Sequence, residues 1–207
     1  MTGRDLLPPA WNVSRETEEG LEALAGLVAR WTPRINLVSR ASLGEIWRRH
    51  ILDSAQVFFA ATAPRGVWAD LGSGGGFPGL VVATLARQLA PELRVTLVES
   101  DLRKAAFLVT AARELQLPAV VMTERAELMP PIGAGTLSAR ALAPLPELLA
   151  LAARHLAADG LAIFPKGASW QSEVDQARKK WSFDLDPIPS ITGQGGAVLV
   201  IKGLSRA

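Results

Sequence analysis

The residues best suited to chemistry in this sequence form one glycine-rich segment, Asp70-Leu71-Gly72-Ser73-Gly74-Gly75-Gly76-Phe77-Pro78-Gly79. Five of the eight residues from Gly72 to Gly79 are glycines, and ordering so many glycines costs too much conformational entropy for a plain turn. A glycine-rich turn that follows a strand of an α/β sheet lets a ligand come close to the backbone. The segment, called the glycine loop below, is therefore predicted to bind a ligand.

Three kinds of ligand are considered for such a loop. A nucleoside triphosphate needs a lysine followed by serine or threonine at the end of the loop, but the next lysine is Lys104, so a P-loop is excluded. A dinucleotide is harder to dismiss, because Gly74, Gly76 and Gly79 match G-x-G-x-x-G. Asp70 argues against it, because a carboxylate about 4 Å from a pyrophosphate charge costs about 4 kcal/mol at an effective dielectric constant of about 20.

The third ligand, S-adenosylmethionine, is favoured by the acid that ends the first predicted strand. It has no phosphate and carries a cationic sulfonium and an ammonium group, which Asp70 would attract directly or through water. The pattern Asp70, Gly72, Gly74, Gly76 therefore favours this methyl donor. Glu99 ends the second predicted strand, where an acid accepts hydrogen bonds from the ribose hydroxyls of either ligand. The alternative for Glu99 is an acid that only favours the start of the next helix.

The spacing of apolar residues predicts the elements that position these groups. Residues 16–31 indicate an amphipathic helix that Pro33 ends or interrupts, and residues 43–59 a second helix with Ser42 as its N-cap. From residue 67 onward, short apolar runs alternate with longer helical patterns. The predicted strands are 67–71, 94–98, 119–122, 136–139, 161–164, 183–188 and 197–201, and the predicted helices are 77–89, 101–115, 145–156 and 170–181.

This alternation predicts a doubly wound, mostly parallel α/β sheet. The last two strands have no helix between them, which predicts an antiparallel hairpin at one edge. Residues 1–62 are predicted to form a helical N-terminal extension and residues 63–207 the sheet domain, the two packed as a single unit.

Composition excludes several classes of protein. The 207 residues are 49% hydrophobic and 20% charged, as in ordinary globular proteins. The absence of cysteine excludes disulfides, thiolate catalysis and cysteine-bound zinc, and no metal is expected. No apolar run approaches the roughly 20 residues of a membrane span. The first 19 residues, Asp5 among them, lack the apolar core of a secretory signal, so a cytoplasmic protein without membrane contact is expected.

The distribution of charge says more than its net value of +2. The high pI of about 9.4 follows from the lack of groups that titrate near neutral pH, and does not by itself indicate a nucleic-acid binder. Between residues 30 and 50, however, only Glu45 opposes five arginines, Arg30, Arg34, Arg40, Arg48 and Arg49. This basic segment is either a solvated surface or part of a binding surface for RNA.

Several further motifs match those of a known family. They are Ile35-Asn36-Leu37-Val38-Ser39, His50-Ile51-Leu52-Asp53-Ser54, Leu97-Val98-Glu99-Ser100, Arg125-Ala126-Glu127, Ser138-Ala139-Arg140-Ala141 and Phe164-Pro165-Lys166-Gly167. With the glycine loop, they make the chain resemble the bacterial small-subunit ribosomal RNA methyltransferase G family, also called GidB, over about residues 31–202. The glycine loop alone would be generic, whereas the segments 50–54 and 138–141 are far more specific.

The resemblance implies a class I S-adenosylmethionine-dependent methyltransferase fold. The implied reaction moves a methyl group from S-adenosyl-L-methionine to N7 of one guanine in small-subunit (16S) ribosomal RNA, either free or within the assembled small ribosomal subunit. A monomer is expected. Together with the residues argued above, the donor site is predicted to comprise Asp70, Gly72, Gly74, Gly76, Phe77, Glu99, Ser100, Asp101, Ala126, Glu127 and Arg140. The predicted contacts with substrate RNA are Asn36, Arg48, His50, Arg125 and Lys166.

No general base is expected, because guanine N7 offers a lone pair and carries no proton. Arg140 and Lys166 are expected to position the nucleotide and its phosphates. Other interpretations stay open: Asn36 as a loop cap, His50 and Asp53 as a hydrogen-bonded pair three residues apart on a helix, and Lys166 as a solvated side chain.

Because the chain has no tyrosine, Phe77, Trp47 or Trp170 would have to stack a base. Two rival functions also remain. One is a nicotinamide-dependent oxidoreductase that uses the literal G-x-G-x-x-G. The other is an RNA-binding or assembly protein with a vestigial pocket, against which Asp70, the loop glycines and Glu99 argue.

Overall fold

The structure, a computed structural model, describes residues 6–207 and is organised around one sheet. Its strands are β1 (Val67–Leu71), β2 (Arg94–Val98), β3 (Ala119–Met122), β4 (Ala134–Ala139), β5 (Leu156–Lys166), β6 (Trp181–Pro189) and β7 (Ala197–Arg206). Within the described residues the sheet has seven strands in the order β3-β2-β1-β4-β5-β7-β6. Strands β1 to β5 run parallel, and β7 is antiparallel to both β5 and β6. The predicted sheet with an antiparallel edge hairpin is confirmed.

The helices that flank this sheet are α1 (Arg15–Ile35), α2 (Arg40–Leu43), α3 (Asp53–Ala60), α4 (Gly79–Leu89), α5 (Leu102–Glu114), α6 (Leu145–His155) and α7 (Trp170–Ala177). A 3-10 turn covers Pro9–Trp11, and a π-helical segment covers Trp47–Leu52. Residues 1–5, with Asp5, lie outside the described residues. They belong to the predicted N-terminal extension and to the 19 residues that lack the pattern of a secretory signal. The boundary at residue 62 stays a prediction. No helix within residues 6–207 is both long and apolar enough to cross a membrane.

The sheet buries both faces because successive side chains of a strand point in opposite directions. On β1, Trp68 packs into a cluster with α1, α3, α4 and α5, whereas Leu71 packs into a second cluster with α6 and α7. On β5, Ile163 packs into the first cluster and Phe164 into the second. The parallel sheet is therefore covered on both sides, and its carboxyl edge is left for ligands.

Three helix predictions were wrong in detail. The helix predicted for residues 170–181 ends at Ala177, and Trp181 begins β6. Helix α1 continues through Pro33 to Ile35. Proline removes one hydrogen-bond donor, its own N–H, in the last turn of the helix. The next turn is still closed, because Asn36 N donates to Thr32 O at 2.9 Å. The single helix predicted for residues 43–59 is instead α2, a turn, the π-helical segment and α3. Ser42 is not an N-cap; Ser39 caps α2 by accepting from Ser42 N. An inserted π turn leaves apolar spacing close to that of an α-helix, so the pattern could not reveal it.

Candidate active site

The glycine loop turns sharply at the carboxyl end of β1. Gly72, Gly74 and Gly76 have φ of 66°, 52° and 87°, a left-handed backbone that other residues adopt only with strain. A Cβ atom on Gly75 would lie 2.9 Å from the carbonyl oxygen of Leu37. Glycine at that position therefore lets the chain after α1 pack directly on the loop.

Asp70 holds this loop from behind. Its Oδ2 accepts a hydrogen bond from Gly79 N at 3.1 Å, and its Oδ1 accepts from Ser138 Oγ at 2.7 Å. Ser138 Oγ in turn accepts from Trp68 Nε1 at 2.9 Å. Asp70 is completely buried, and burial raises the pKa of its carboxyl to about 6, although its hydrogen-bond donors favour the charged form.

Asp70 was predicted to attract the donor directly or through water, and the structure places its side chain outside the lining of the neighbouring cavity. The amino end of α4 covers the side of β1 on which Asp70 lies, so the carboxylate anchors Gly79, the first residue of that helix. Asp70 therefore fixes the position of the glycine loop, whereas other residues form the wall of the neighbouring cavity.

A cavity of about 600 Å³ opens at the carboxyl edge of the sheet, beside the glycine loop. Its volume lies within the usual range for small-molecule sites. The cavity brings together ten of the residues predicted for the donor or the RNA: Gly72, Gly74, Phe77, Glu99, Ser100, Ala126, Glu127, Arg140, His50 and Arg125. The other predicted residues do not line it: Asp70, Gly76, Asp101, Asn36, Arg48 and Lys166. It is also lined by residues that the sequence did not single out for the site, among them Leu37, Val38, Lys104 and Leu142.

Glu99 links the glycine loop to the start of α5. Its Oε2 accepts from Gly74 N at 2.8 Å and its Oε1 accepts from Asp101 N at 2.8 Å. Only 8% of the residue is exposed, on the cavity wall. A carboxylate oxygen can accept more than one hydrogen bond, so Glu99 retains capacity for ligand hydroxyls while its orientation is held by the backbone.

Asp101 performs a different task from the predicted ligand contact. Its Oδ1 accepts from Arg103 N at 2.8 Å and Lys104 N at 3.2 Å, which makes it the N-cap of α5. Hydrogen bonds from the Lys104 and Arg103 amides lower the pKa of this carboxyl. Asp101 therefore positions Ser100 and Lys104 on the cavity wall by fixing the start of the helix.

Arg140 is the centre of a polar cluster on the opposite wall. Its Nη1 donates to Arg49 O at 3.0 Å and to Asp53 Oδ2 at 3.2 Å, and its Nη2 donates to His50 Nδ1 at 2.6 Å. The guanidinium carbon also lies 5.4 Å from the centre of the Phe77 ring. His50 and Asp53 are thus joined through Arg140, in place of the direct pair considered from the sequence.

The protonation state of His50 follows from this cluster. Burial and the nearby charges of Arg140 and Arg49 lower the pKa of His50 to about 4. Arginine can only donate, so Nδ1 accepts and the neutral ring carries its proton on Nε2, which is buried and has no hydrogen-bond partner among residues 6–207. The ring stacks on Phe77 with centres 4.9 Å apart. The wall is therefore aromatic, and its imidazole is uncharged near neutral pH.

Two residues predicted to contact RNA have structural roles. Lys166 Nζ donates to Glu173 Oε2 at 2.8 Å and to Ala143 O at 3.0 Å, and 11% of its side chain is exposed. The phosphate contact stays a prediction, and in this structure the Lys166 charge is paired with an acid that α7 brings to the end of β5, which the sequence could not show. Asn36 is the left-handed C-cap of α1, which agrees with its interpretation as a loop cap.

His155, which the sequence did not single out, supports the wall of the cavity from behind the loop that carries Ala126. It is fully buried at the end of α6, and its Nε2 lies 2.8 Å from the carbonyl oxygen of Ala126 on the cavity wall. The adjacent Arg154 donates from Nε to Met129 O at 3.0 Å. The end of α6 therefore fastens the loop between β3 and β4, and no local signal in the sequence indicates this contact.

Comparison with known proteins identifies close relatives. A family model described as GidB, rRNA small subunit methyltransferase G, matches residues 17–205. The chain is 53% identical over 195 residues to the ribosomal RNA small subunit methyltransferase G of Ruegeria sp. (strain TM1040), covering 94% of this chain and 95% of the relative. It is 52% identical over 197 residues to the protein of that name from Cereibacter sphaeroides (strain ATCC 17025 / ATH 2.4.3), covering 95% of each.

Solved structures support the fold. A SAM-dependent methyltransferase from Aquifex aeolicus aligns with a TM-score of 0.55 at 10% identity, covering 74% of this chain and 90% of that protein. A TehB-like SAM-dependent methyltransferase from Corynebacterium glutamicum aligns with a TM-score of 0.55 at 18% identity, covering 78% and 96%. With the strand order given above, these similarities confirm the predicted class I methyltransferase fold.

Proposed function

The chain belongs to the GidB family, rRNA small subunit methyltransferase G, and on that premise we propose that it methylates N7 of one guanine in small-subunit ribosomal RNA. S-adenosyl-L-methionine supplies the methyl group when bound. The observation that carries the proposal is the cavity at the carboxyl edge, where the glycine loop and Glu99 face Phe77, His50 and Arg140. A ribosomal RNA substrate would place the reaction in the cytoplasm.

The residues of the cavity fit this donor. Gly72 and Gly74 present backbone at left-handed φ with no side chain in the way, and Glu99 has capacity for ribose hydroxyls. Ala126 is a small apolar residue beside which a flat adenine can lie, and Glu127 is an exposed acid next to it. Next to the glycine loop itself, the carboxylate of Glu99 and the absence of a phosphate-binding lysine in the loop suit a cationic, phosphate-free ligand.

The other wall suits a neutral nucleophile. Guanine N7 needs no general base, so the role of the protein is to align N7 with the methyl carbon and sulfur. Positive charge passes to the base during the transfer, and a free cation against the ring would oppose it. Arg140 is turned toward Asp53, 3.2 Å away, and His50 is neutral. Arg140 can therefore position the aromatic wall without placing an unbalanced charge at the base.

Methylation of purified ribosomal RNA tests the proposal. The protein would be incubated with labelled S-adenosyl-L-methionine and small-subunit RNA from cells that lack the gene, offered as free RNA or as assembled subunits, and N7-methylguanine would be mapped. One modified guanine in either substrate is expected, and comparing the two substrates decides which form is used. Methyl transfer to another atom, or binding of NAD and not S-adenosylhomocysteine, would refute the proposal.

We also propose that a monomer is the active unit. The groups assigned to the donor, among them the glycine loop, Glu99 and Arg140, meet in one cavity of a single chain, so the proposed reaction requires no residue from a partner. Light scattering at assay concentration, alone and with S-adenosylhomocysteine, measures the molar mass; a dimer that dissociates together with loss of activity would contradict this.

A further inference from the structure

A second cavity, of about 390 Å³, lies beside the first, and we infer that it holds an unpaired nucleotide of the RNA strand next to the target guanine. The inference rests on the proposed function and extends it to how the strand is held. The second cavity is lined by Arg48, Trp170, Pro187 and residues 189–197, which connect β6 to β7.

Both cavities open at the same edge of the sheet. Lys166, the last residue of β5, pairs with Ala197, the first residue of β7, so the segment before Ala197 lies at the carboxyl end of β5. The first cavity lies at the carboxyl ends of β1, β2 and β4, through Gly72, Glu99 and Arg140. A strand with its guanine in the first cavity can therefore continue along this edge into the second.

The π-helical segment and the start of α3 separate the cavities. Arg49 and His50 line the first, whereas the preceding Arg48 lines the second. Asp53 joins the two walls directly: its Oδ2 accepts from Arg140 Nη1 at 3.2 Å and its Oδ1 accepts from Thr192 Oγ1 at 2.8 Å. One carboxylate thus contacts a lining residue of each cavity, so the two cavities adjoin across Asp53 and can take neighbouring nucleotides of one strand.

A second contact holds the β6–β7 segment against α3. Gln56 Nε2 donates to Pro189 O at 2.7 Å, and Gln56 Oε1 accepts from Ile191 N at 3.1 Å. Gln56 is buried, so this side of the second cavity is preformed, and binding need not order it.

The chemistry of the lining favours RNA. Arg48 is exposed and is the one charged side chain among the lining residues that the structure describes, so the cavity has a cation and no acid. Trp170 is half-buried and adds a flat indole next to Pro187 and Pro189. A guanidinium for the phosphate and an aromatic plane for the base are the groups that bind unpaired nucleotides.

The test compares kinetics of methyl transfer to protein-free small-subunit RNA in variants of the second cavity. Arg48→Gln and Trp170→Leu are each expected to raise KM for RNA about tenfold, with kcat and affinity for S-adenosylhomocysteine within about twofold of wild type. Trp170→Phe should restore KM. Arg48→Gln should also lower the slope of log KM against log salt by about 0.7, as for one phosphate of a single strand. Arg65→Gln is the matched control, because Arg65 is exposed and lies just before β1, at the opposite edge.

Three results would overturn the inference. One is an unchanged KM in both variants. Another is a KM that rises only with assembled subunits, which would assign the cavity to a ribosomal protein. The third is an equal loss of S-adenosylhomocysteine affinity, which would make the cavity a support for the donor site. Should wild type methylate no ribosomal RNA, the proposed function fails; fluorescence anisotropy of a labelled single-stranded RNA oligonucleotide on the same variants then still decides the inference.

Discussion

The imidazole Nε2 of His155 lies 2.8 Å from the carbonyl oxygen of Ala126, so the end of α6 fixes a wall of the active-site cavity. Burial lowers the pKa of His155, which keeps the ring neutral and able to donate from Nε2. His155→Leu should weaken binding of S-adenosylhomocysteine about tenfold, because the Ala126 carbonyl loses its partner, while kcat at saturating donor changes little. Titration calorimetry measures the affinity.

His155→Gln supplies the control, since its amide can donate to the same carbonyl. We expect it to recover most of the affinity. If Leu and Gln variants of equal stability bind equally well, the hydrogen bond to Ala126 does not position the donor.

Gly74 tests whether the left-handed backbone of the glycine loop is needed for donor binding. Gly74→Val should fold, with a strain of about 1–2 kcal/mol at a φ of 52°, and should bind S-adenosylhomocysteine at least about tenfold more weakly. Gly66→Val is the matched control, because its φ is 70° and a Cβ there meets nothing within 4 Å. Unchanged affinity in folded Gly74→Val, or an equal loss in Gly66→Val, would contradict the role of the loop.

Asp70 should make stability depend on pH. The folded pKa of Asp70 is about 6, above its ordinary 3.8, mainly because the group is buried. Its contribution to stability is therefore full below about pH 4 and is lost as pH rises through about 6. The unfolding free energy of wild type relative to Asp70→Asn should fall by on the order of 2–3 kcal/mol between about pH 4 and 8.

Denaturant titrations across this range measure the difference. Asp101→Asn is expected to show the opposite sign, since backbone hydrogen bonds lower the pKa of Asp101, and its contribution is lost as pH falls. A wild-type advantage over Asp70→Asn that does not decrease toward pH 8 would show that Asp70 is ionised throughout.

The rate of methyl transfer should be nearly independent of pH. With saturating RNA in single turnover, we expect a flat rate between about pH 6 and 9, because guanine N7 carries no proton and His50, with a pKa of about 4, stays neutral. A dependence on one proton that disappears in His50→Gln or Asp53→Asn, with RNA affinity intact, would show that a base participates.

Lys166 should contribute to stability and not to RNA binding. Lys166→Met is expected to lower the unfolding free energy by about 1–3 kcal/mol, because Glu173 loses its ion pair in a partly buried site. The salt dependence of KM for RNA should stay at the wild-type slope. Lys179→Met, at an exposed position, should change neither quantity. A slope reduced by about 0.7 in Lys166→Met would restore the predicted phosphate contact.

The sequence by itself determined the sheet and the location of the site. Short apolar runs that alternate with longer helical patterns, as at residues 67–71 and 77–89, predict a mostly parallel α/β sheet, and the loop glycines mark where a ligand meets the backbone. These signals are readable because they act within one strand or one turn. The boundaries failed where a local pattern is ambiguous, at Pro33, in the π-helical segment and between Ala177 and Trp181.

Only the tertiary structure decided what each polar side chain does. Asp70 meets Ser138, 68 positions away, because β1 and β4 are neighbours in the sheet, and Arg140 meets Asp53 across 87 positions. Even Lys166 and Glu173, only seven positions apart, meet because the turn between β5 and α7 brings their side chains together. A hydrogen bond requires a favourable direction and a distance near 3 Å between donor and acceptor. The order of the strands and the packing of helices on the sheet set that geometry. Residue type and spacing along the chain do not reveal it.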